Sequence, residues 1–404
     1  MAAVCCQRFF LFPAPCSGCL RPPGPGYRYN SSQVSLKALI LSRIRERGPI
    51  PVAEYMELAL YHPVHGYYTS ASRRSGREGD FFTNVDVGPL FGEILAAQLA
   101  ELWPQLRETG AERFHLVEAG ASDGRLARDL LDAAKREHPL FYDSLHVSLV
   151  DRSRVAADEQ RRNLPAHAGR VTLGATELPD GVTGAIVANE LLDALPVHRV
   201  VMQDGALREL HVTENGNRLC QVALPPSTPR LAHFFSRLNL SLPEGIVAEV
   251  GLAAMDWIAS AAASLRRGYL MIFDYGLEAD ALYSPLHAAG TLMGFRAHTA
   301  DMEAWLDAPG ASDLTAHINL TAVRAAAEDA GLAALGMTDQ TYFVTALGLA
   351  ARLDEGQGVG SIRRRLAART LVLPGGLGST IKAIAFGKDV KGEALHAFSA
   401  GRLT

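Results

Sequence analysis

Two acidic residues stand three positions apart in the segment NELLDALPVHR, residues 189–199. On a helical turn, Glu190 and Asp193 would share one face. Two carboxylates on one face suit a cationic group, since bidentate hydrogen bonds would balance the charge of a guanidinium and fix its orientation. The alternative is a helix N-terminus whose acids favour the helix dipole, which fits Glu190 better than Asp193. The pattern favours a site for a cationic substrate.

A glycine-containing turn in HLVEAGASDGRLARDLL, residues 115–131, is typical of a site for a nucleotide-like cofactor. Gly120 and Gly124 let the backbone approach a ligand closely and let the next helix pack against the strand. Free N–H groups at the start of that helix attract a carboxylate or phosphate. A helix capped by Ser122 or Asp123 explains the turn nearly as well. The spacing Gly-x-Gly-x-x-Gly is missing, which argues against a nicotinamide-dependent oxidoreductase.

Polar groups follow the long predicted strands: Glu118, Asp151, Asn189 with Glu190, and Asp274. Ligands of a doubly wound sheet bind at the carboxyl ends of its strands. Acids gathered there would repel one another, so their presence at this edge indicates a ligand-binding site. Asp151, after the second strand, is placed to accept hydrogen bonds from ribose hydroxyls. Asp274 could contact cofactor or substrate, or could merely cap its strand end.

Short buried strands alternate with helices from Arg113 onward, in RFHLVEAG, GRLARDLLDAAKRE, LHVSLVD, RVAADEQRRNL, VTLG, GAIVANE and GYLMIFDYG. This alternation predicts an α/β fold with a mostly parallel sheet covered on both faces. After Pro196, the turn dipeptides Asp204-Gly205 and Asn215-Gly216 separate alternating strands and predict a three-stranded antiparallel meander. The meander could form a substrate wall or a partner-binding surface.

The chain ahead of this alternation is helical, because apolar residues recur at three- and four-residue intervals between about 36 and 106. Among these helices lies HPVHGYYTSASRRSGREGDFFTN, which is either a lid or a packed surface loop. We therefore predict four regions: a disordered tail (1–34), an N-terminal helical and lid region (35–110), an α/β core (111–390) with the meander at about 197–224, and a C-terminal tail (391–404).

The composition is that of a folded soluble protein, with 48% apolar residues, 20% charged residues and a net charge of −4. This weakly acidic balance gives no electrostatic footprint for nucleic acid, so Arg363, Arg364 and Arg365 are interpreted as a solvated helix face. No apolar stretch reaches the roughly 20 residues that cross a bilayer. Neither nucleic acid nor a membrane span is expected.

Cysteine usage predicts neither a disulfide framework nor a metal site. Only Cys220 lies in the body of the chain, so a reducing compartment is expected. The pair in CSGC has metal-ligand spacing but no second pair at zinc-finger spacing. His298 and His317 are expected to form structural hydrogen bonds rather than to bind metal.

The tail 1–34 leaves the compartment open between two interpretations. It has no acidic residue, as in an organellar presequence, but prolines at 13, 15, 22, 23 and 25 would break an amphipathic helix. An unstructured tail on a cytoplasmic protein is favoured, and the mitochondrial matrix is the alternative.

Seven segments, in chain order, resemble the MidA-like family of S-adenosylmethionine-dependent methyltransferases: GPIPVAEYMELALYHPVHGYY, GREGDFFTNVDVGPLFGE, LVEAGASDGRLARDLL, VANELLDALPVHR, FDYG, GTLMGFRAH and GASDLTAHINL. The resemblance runs from about Ile44 to the C-terminus. It implies a class I methyltransferase fold, Rossmann-like, with a seven-stranded sheet that has one antiparallel edge hairpin. Mitochondrial members of the family act in respiratory complex I assembly by methylating an arginine of a core subunit.

The resemblance also implies roles for matching positions. The residues implied to bind S-adenosyl-L-methionine are Glu118, Gly120, Ala121, Ser122, Gly124 and, at the ribose, Asp151. The lid residues implied to close over the site are Gly79, Asp80, Phe81 and Thr83. The residues implied to face the transferred methyl and its acceptor are Asn189, Glu190 and Asp193.

The implied chemistry is methylation of an arginine guanidinium in a partner protein. A sulfonium methyl is already activated, so the protein must mainly align the acceptor with the S–CH₃ bond. Ser122 departs from the family, whose turn generally has glycine there, and a serine needs a negative φ or a strained conformation. A non-catalytic assembly factor that keeps the fold and binds a partner is the alternative that Ser122 favours.

Overall fold

The helices that precede the sheet bury an apolar stripe. The computed structural model describes residues 35–70, 83–153, 156–296, 299–301, 304–353, 358–373, 377–390 and 395–399. Its first helix buries Leu36, Ile40 and Ile44. These positions recur every four residues and share one face. The elements of this region are α1 (Leu36–Arg47), β1 (Ile50–Pro51), α2 (Val52–Tyr61), α3 (Tyr67–Ser70) and α4 (Leu90–Glu108). The predicted tail 1–34 and most of the predicted lid lie outside the described residues, as does the predicted C-terminal tail apart from 395–399.

The alternating region begins at Phe114 and carries most of the predicted site. Its first elements are β2 (Phe114–Ala119), α5 (Arg125–Glu137), α6 (Pro139–Ser144), β3 (Leu145–Val150), α7 (Ala156–Asn163), β4 (Val171–Ala175) and β5 (Val182–Asn189). Val117, Val147 and Ile186 are fully buried on three of these strands. Burial of this kind is typical of parallel strands that helices cover on both faces.

Three antiparallel strands interrupt the alternation after Pro196. The elements here are β6 (His198–Gln203), β7 (Ala206–Asn215), β8 (Arg218–Leu224), α8 (Arg230–Arg237) and β9 (Val247–Val250). Asp204 and Gly205, with φ of 55° and 70°, form a turn that favours a tight hairpin. β6 also pairs with β9, and β7 with β1, so the meander belongs to a five-stranded sheet that includes part of the N-terminal region.

The elements of the remaining chain include predicted ones, such as the strand GYLMIFDYG, as well as others that the sequence analysis did not predict. They are α9 (Leu252–Ser264), β10 (Leu265–Leu277), α10 (Ala279–Leu282), β11 (Met293–Arg296), β12 (Thr299–Asp301), β13 (Asp313–Thr315), β14 (Ile318–Asn319), α11 (Leu320–Asp329), β15 (Ala333–Asp339), α12 (Gln340–Ala346), α13 (Val359–Val372), α14 (Leu377–Thr380), β16 (Ile381–Lys388) and α15 (His396–Ser399). Strands β11, β12 and β13 form a small separate sheet. Helix α12 had no predicted counterpart, whereas α13 contains Arg363, Arg364 and Arg365, which the sequence analysis interpreted as a helix face.

The central sheet has the strand order β15–β16–β10–β5–β2–β3–β4. Strands β4, β3, β2, β5 and β10 are mutually parallel, whereas β16 runs antiparallel to both of its neighbours. The strand order reverses between β2 and β5, which is where a doubly wound sheet opens its ligand crevice. The sheet holds eight strands rather than the expected seven, because Ile318 and Asn319 also pair with β10.

Two hydrophobic cores lie on opposite faces of this sheet. Neighbouring residues of β10 show the division: Phe273 belongs to the core with Phe91 of α4, and Ile272 belongs to the core with Ile258 of α9. Successive side chains of a strand point to opposite faces, so each core fixes the register of the strands. Register in turn sets which residues reach the carboxyl ends. No helix among the described residues is long and apolar enough to cross a membrane.

Candidate active site

The turn between β2 and α5 has a left-handed backbone at three positions. Gly120, Ser122 and Gly124 have φ of 72°, 45° and 77°. A Cβ added at Gly124 would lie 3.0 Å from Leu164 Cδ1, so the start of α5 packs closely here. Glycine adopts this conformation freely, whereas a serine in it is strained. The sequence analysis left two conformations open for Ser122, one with a negative φ and one that is strained, and the structure has the strained one.

Asp151 follows β3 and ties this turn to the next strand. Its Oδ2 accepts the backbone N–H of Ser122 at 2.8 Å, and its Oδ1 accepts that of Ser153 at 2.7 Å. Burial raises the pKa of Asp151, and the hydrogen bonds from Ser153 and Ser122 oppose that rise. A carboxylate has about four lone-pair sites, so each oxygen can accept a further bond. The acid therefore lies where the sequence predicts, beside the glycine turn.

Glu118 and Ala121 are buried beside the turn. Burial, together with the charge of Asp123, raises the pKa of Glu118 to about 8. Ala121 donates its N–H to the Val150 carbonyl at 3.1 Å, so the turn is also held to the end of β3. Both residues lie at the carboxyl edge with Asp151, in agreement with their predicted placement.

Thr83 is the one predicted lid residue that the structure describes. Its N–H and its hydroxyl each donate to Asp86 Oδ2 at 2.9 Å, and the other oxygen of Asp86 accepts Arg125 Nη1 at 2.9 Å. Arg125 is the first residue of α5. Thr83 is thereby linked to the start of α5, next to the glycine turn. Gly79, Asp80 and Phe81 lie outside the described residues.

The NELLD segment forms a turn around a buried carboxylate, so the expected helical turn is wrong. Asp274 Oδ2 accepts the N–H groups of Leu192 at 2.8 Å and Leu191 at 3.2 Å, and its Oδ1 accepts that of Tyr275 at 2.8 Å. Glu190 has a φ of 51°, and its N–H donates to the Phe273 carbonyl at 2.8 Å. Because no helix starts here, the helix-dipole explanation for its acids also fails. Asp274 holds the NELLD turn through Leu191 and Leu192, which is a different role from the cap at its own strand end that was foreseen as one alternative.

Glu190, Asp193 and Asp274 form an acidic cluster, to which Asp313 of β13 adds a fourth carboxyl. Asp193, Asp274 and Asp313 are buried, and Glu190 is half-buried. Burial raises the pKa of Glu190 to about 8 and that of Asp274 to about 7. Burial also raises the pKa of Asp193 well above its usual range, and the charges of Asp274 and Glu190 add to the effect. Tyr68 donates its hydroxyl to Asp313 Oδ1 at 2.7 Å. Asp313 was missed because a strand residue 120 positions from Asp193 gives no sequence signal of the contact.

Two asparagines orient Glu190. Asn84 donates its backbone N–H to Glu190 Oε1 at 2.9 Å and its Nδ2 to Asn189 Oδ1 at 3.0 Å. Asn189 Nδ2 donates to the same Glu190 oxygen at 3.3 Å. Asn189 is thus beside Glu190 as predicted. Asn84 was missed, although it directly follows the GDFFT motif in the chain.

Helix α2 contacts both halves of the rim. Tyr61 donates its hydroxyl to the Ala194 carbonyl at 3.0 Å, and the Arg152 guanidinium lies 4.2 Å from the centre of its ring. Arg152 also pairs with Glu57 of α2, with one N···O distance of 3.2 Å. Because Arg152 follows Asp151 directly, α2 is fixed between the glycine-turn side and the acidic cluster. No sequence pattern indicated this link.

Histidines give no indication of a metal site. Among the residues that the structure describes, His317 Nδ1 has no hydrogen-bond partner, while the backbone N–H of His317 donates to Thr291 Oγ1 at 3.1 Å. Burial lowers the pKa of His317. Within the described ranges no group of three or more histidine, cysteine or acidic side chains has metal-binding geometry. His298 lies outside the described residues.

The sheet order, the glycine turn and the acid after β3 together define a doubly wound α/β fold with a ligand site at the carboxyl ends of its strands. The comparisons identify this fold as that of an α/β methyltransferase. A family model described as a putative S-adenosyl-L-methionine-dependent methyltransferase matches residues 94–338. This chain belongs to that family, which confirms the family resemblance and the cofactor expected from it.

Curated relatives are similar over most of their length and are named protein arginine methyltransferase NDUFAF7, mitochondrial, or its homolog. The Drosophila melanogaster homolog is 28% identical over 361 residues, covering 82% of this chain and 79% of the relative. The Rattus norvegicus protein is 28% identical over 339 residues, covering 78% and 74%. The Xenopus laevis protein is 29% identical over 371 residues, covering 83% and 78%.

Two solved structures from Burkholderia thailandensis share this fold. One is a COG1565 superfamily member bound to S-adenosyl-homocysteine, 30% identical with a TM-score of 0.83, covering 94% of this chain and 98% of that chain. The other is a native structure of the same superfamily, 29% identical with a TM-score of 0.79 and the same coverage. These similarities confirm the α/β methyltransferase fold.

The expectation of a cytoplasmic protein is wrong. The curated relatives from Drosophila, rat and Xenopus are all named as mitochondrial. The error came from giving the prolines of residues 1–34 more weight than the absence of acidic residues there.

Proposed function

We propose that this protein transfers a methyl group from S-adenosyl-L-methionine to an arginine side chain of a partner protein. The observation that carries the proposal is the acidic cluster next to the glycine turn, in which Asp193 and Asp274 are buried and Glu190 is half-buried. Among the described residues, none of the three pairs with a lysine or arginine. Buried carboxyls without a cation are unfavourable. A guanidinium would supply both the missing charge and a fork of N–H donors.

The cofactor fits the residues around the turn. Asp151 would accept the ribose hydroxyls through lone pairs that Ser122 and Ser153 leave open. Gly120 and Gly124 let the backbone approach the methionine part closely. The other residues that we assign to cofactor binding are Glu118, Ala121 and Thr83.

The bound cofactor supplies an activated methyl group on a sulfonium. A guanidinium is a poor nucleophile, because its lone pair is delocalised and its pKa exceeds about 12. Glu190 and Asp193 would bind the guanidinium, with Asn189 orienting Glu190, so that one terminal nitrogen lies in line with the methyl. Glu190 Oε2, the oxygen that Asn84 and Asn189 leave open, would accept the released proton. A pKa of about 8 for Glu190 suits a base that works near neutral pH.

We further propose that Gly79, Asp80 and Phe81 form a lid that closes over the cofactor. The support is the anchoring of Thr83 to Asp86 and, through it, to Arg125 at the start of α5. We also assign the strands from β15 to β4 to a class I arrangement of seven, in which β15 and β16 form the antiparallel edge hairpin.

The partner protein that we propose is mitochondrial. The support is that the curated relatives are named as mitochondrial protein arginine methyltransferases. The family resemblance favours a core subunit of respiratory complex I among mitochondrial proteins.

Loss of one methyl-arginine tests the proposal. In cells that lack the gene, mass spectrometry of mitochondrial proteins should find one methyl-arginine missing. Wild-type protein should restore it, as should Glu177→Gln, which changes an exposed glutamate after β4. Glu190→Gln should not restore it, although its carbonyl oxygen can still accept the bonds from Asn84 and Asn189.

Calorimetry and cellular rescue distinguish the proposed methyltransferase from a non-catalytic assembly factor. Purified wild type and Glu190→Gln should bind S-adenosyl-homocysteine equally well. The proposed enzyme activity would be contradicted if wild type failed to bind S-adenosyl-homocysteine at millimolar concentration. It would also be contradicted if cells without the gene lost no methyl-arginine. If Glu190→Gln and Asp193→Asn corrected the defect of cells that lack the gene without restoring the methyl-arginine, the result would instead favour the non-catalytic assembly factor.

A further inference from the structure

Asn84 holds a buried acceptor at the edge of the acidic cluster. Its side chain is 0% exposed, and its Oδ1 has no hydrogen-bond partner among the described residues. Buried polar atoms of native proteins are rarely left without a partner, and the exceptions call for an explanation such as a missing ligand. The mechanism derived above does not use this atom.

Hydrogen-bond logic fixes which side-chain atom of Asn84 is left over. Asn189 donates its Nδ2 to the carboxylate of Glu190, so its Oδ1 must face a donor. The donor is Asn84 Nδ2, at 3.0 Å. A flipped Asn84 would set two carbonyl oxygens against each other, so the unpartnered atom is the carbonyl oxygen.

The same residue is tied to Glu190 through its main chain. The backbone N–H of Asn84 donates to Glu190 Oε1 at 2.9 Å. The residue that carries the unpartnered oxygen therefore also contacts the carboxylate that is proposed to bind the acceptor guanidinium. Because the backbone and Nδ2 are both engaged, Oδ1 cannot turn away without breaking one of these bonds. Oδ1 is thus a preorganised acceptor beside Glu190.

We propose that Asn84 Oδ1 accepts an N–H of the acceptor guanidinium, which makes Asn84 a binding and specificity residue of the acceptor site. This inference rests on the proposed function, because it takes the acceptor to be an arginine. It adds a neutral contact to the charged contacts of Glu190 and Asp193.

Charge explains why an amide suits this position. The cluster already holds several carboxyls that disfavour one another's ionisation. A further acid would add to that repulsion, whereas an amide oxygen accepts a hydrogen bond without adding charge. A guanidinium presents five N–H groups in a rigid plane and can engage two separated acceptors, while an ammonium is a compact point charge. Asn84 together with Glu190 should therefore favour arginine over lysine.

Binding of a small probe tests the role of Oδ1 without a known partner. With the protein saturated in S-adenosyl-homocysteine, ligand-observed NMR would follow binding of Nα-acetyl-arginine amide, and Nα-acetyl-lysine amide would serve for comparison. At pH 9 Glu190 is ionised and cannot itself donate to Oδ1. Asn84→Ala should weaken binding of the arginine probe about tenfold and narrow its preference over lysine, because a hydrogen bond to a charged group is lost.

Asn84→Asp separates the proposed role from a structural one. An ionised aspartate keeps an oxygen at this position but cannot donate to Asn189. If Oδ1 binds the probe, Asn84→Asp should retain wild-type affinity within about threefold or exceed it, because it adds a charge opposite to that of the probe. If Asn84 only holds Asn189, Asn84→Asp should be as impaired as Asn84→Ala, and the inference would be overturned.

Gln98→Leu is the matched control. Gln98 lies on α4, is 0% exposed, and likewise has an unpartnered carbonyl oxygen. Its replacement should leave probe affinity unchanged. Equal weakening by Gln98→Leu and Asn84→Ala would show a general packing effect and contradict the assignment. No preference of wild type for the arginine probe would instead contradict the proposed acceptor class, whereas wild-type binding that Asn84→Ala does not alter would contradict this inference alone.

Discussion

The backbone N–H of Ser122 donates a hydrogen bond of 2.8 Å to Oδ2 of Asp151. The bond joins the turn after β2 to the acid after β3, so the two parts of the proposed cofactor site are held at a fixed spacing. Ser122 presents its N–H in this direction with a φ of 45°. Its carbonyl is held as well, since Gln160 Nε2 donates to it at 2.9 Å. The strain at Ser122 is therefore maintained by bonds on both sides of the residue.

Ser122→Val should destabilise the protein, because a β-branched side chain disfavours a positive φ more than serine does. We expect a loss of about 1–2 kcal/mol in the free energy of unfolding, measured by urea denaturation. Ser122→Gly removes the strain but increases the entropy of the unfolded chain, so it should remain within about 1 kcal/mol of wild type. Equal stabilities for the valine and glycine variants would show that the turn carries no strain at this residue.

Asp151→Asn should weaken cofactor binding more than it weakens the fold. An asparagine has one acceptor oxygen, so its NH₂ group would face either the Ser122 N–H or the Ser153 N–H. We expect affinity for S-adenosyl-homocysteine, measured by calorimetry, to fall about tenfold or more, because bonds to a charged acceptor are lost. Asp180→Asn, at an exposed position, is the matched control and should bind as wild type does. An unchanged affinity for Asp151→Asn would remove Asp151 from the cofactor site.

Asp274→Ala should be among the more destabilising single substitutions in the core. It would leave four backbone N–H groups without their acceptor, those of Leu191, Leu192, Asp193 and Tyr275. Each unsatisfied group costs about 1–3 kcal/mol, so we expect a loss on the order of 3 kcal/mol in urea unfolding. Asp180→Ala should change stability by less than about 0.5 kcal/mol. A loss below about 1 kcal/mol for Asp274→Ala would mean that Asp274 does not hold the NELLD turn.

Local patterns predicted the parts of the fold that depend on neighbouring residues. The apolar run at 114–119 and the dipeptide Asp204-Gly205 are local signals, and strands and a hairpin lie there. The small sheet of β11, β12 and β13 was not predicted, because its strands are only three or four residues long and give little periodic signal. Helix α13 was foreseen only as a solvated helix face at Arg363, Arg364 and Arg365, but Arg364 Nη1 donates to Glu93 Oε1 of α4 at 3.1 Å.

The sequence predicted that Glu190 and Asp193 lie together, but not the geometry in which they do so. Glu190 and Asp193 are close in sequence, so their proximity could be foreseen, but the turn that they share depends on Asp274, 84 positions beyond Glu190. Asn84 reaches Glu190 across 106 positions. Neither contact leaves a periodic trace in one sequence, because each depends on tertiary packing. A helical turn was expected because spacing alone cannot show a carboxylate that arrives from another strand.

Stability should fall as pH rises through the range in which the buried carboxyls lose their protons. Burial raises the pKa of Glu190 in the folded protein to about 8, above its usual value of 4.5. Between these values the folded state holds a proton that the unfolded state releases, so this stabilising contribution is complete below about pH 4.5 and is lost progressively up to about pH 8. For Glu190 alone the loss should be on the order of a few kcal/mol. Methyl transfer should rise over the same interval, because only ionised Glu190 can accept the proton.

Urea unfolding of wild type and Glu190→Gln at pH 5, 6.5 and 8 measures this contribution. The neutral glutamine cannot titrate, so the variant should lose less stability than wild type between pH 5 and pH 8. Other groups titrate in both proteins. The contribution of Glu190 is therefore given by the difference between the two slopes of the free energy of unfolding against pH. Glu177→Gln should keep the wild-type slope, since its side chain is exposed. Parallel slopes for wild type and Glu190→Gln would show that Glu190 titrates near its ordinary range, and that the acidic cluster is already ionised before a guanidinium binds.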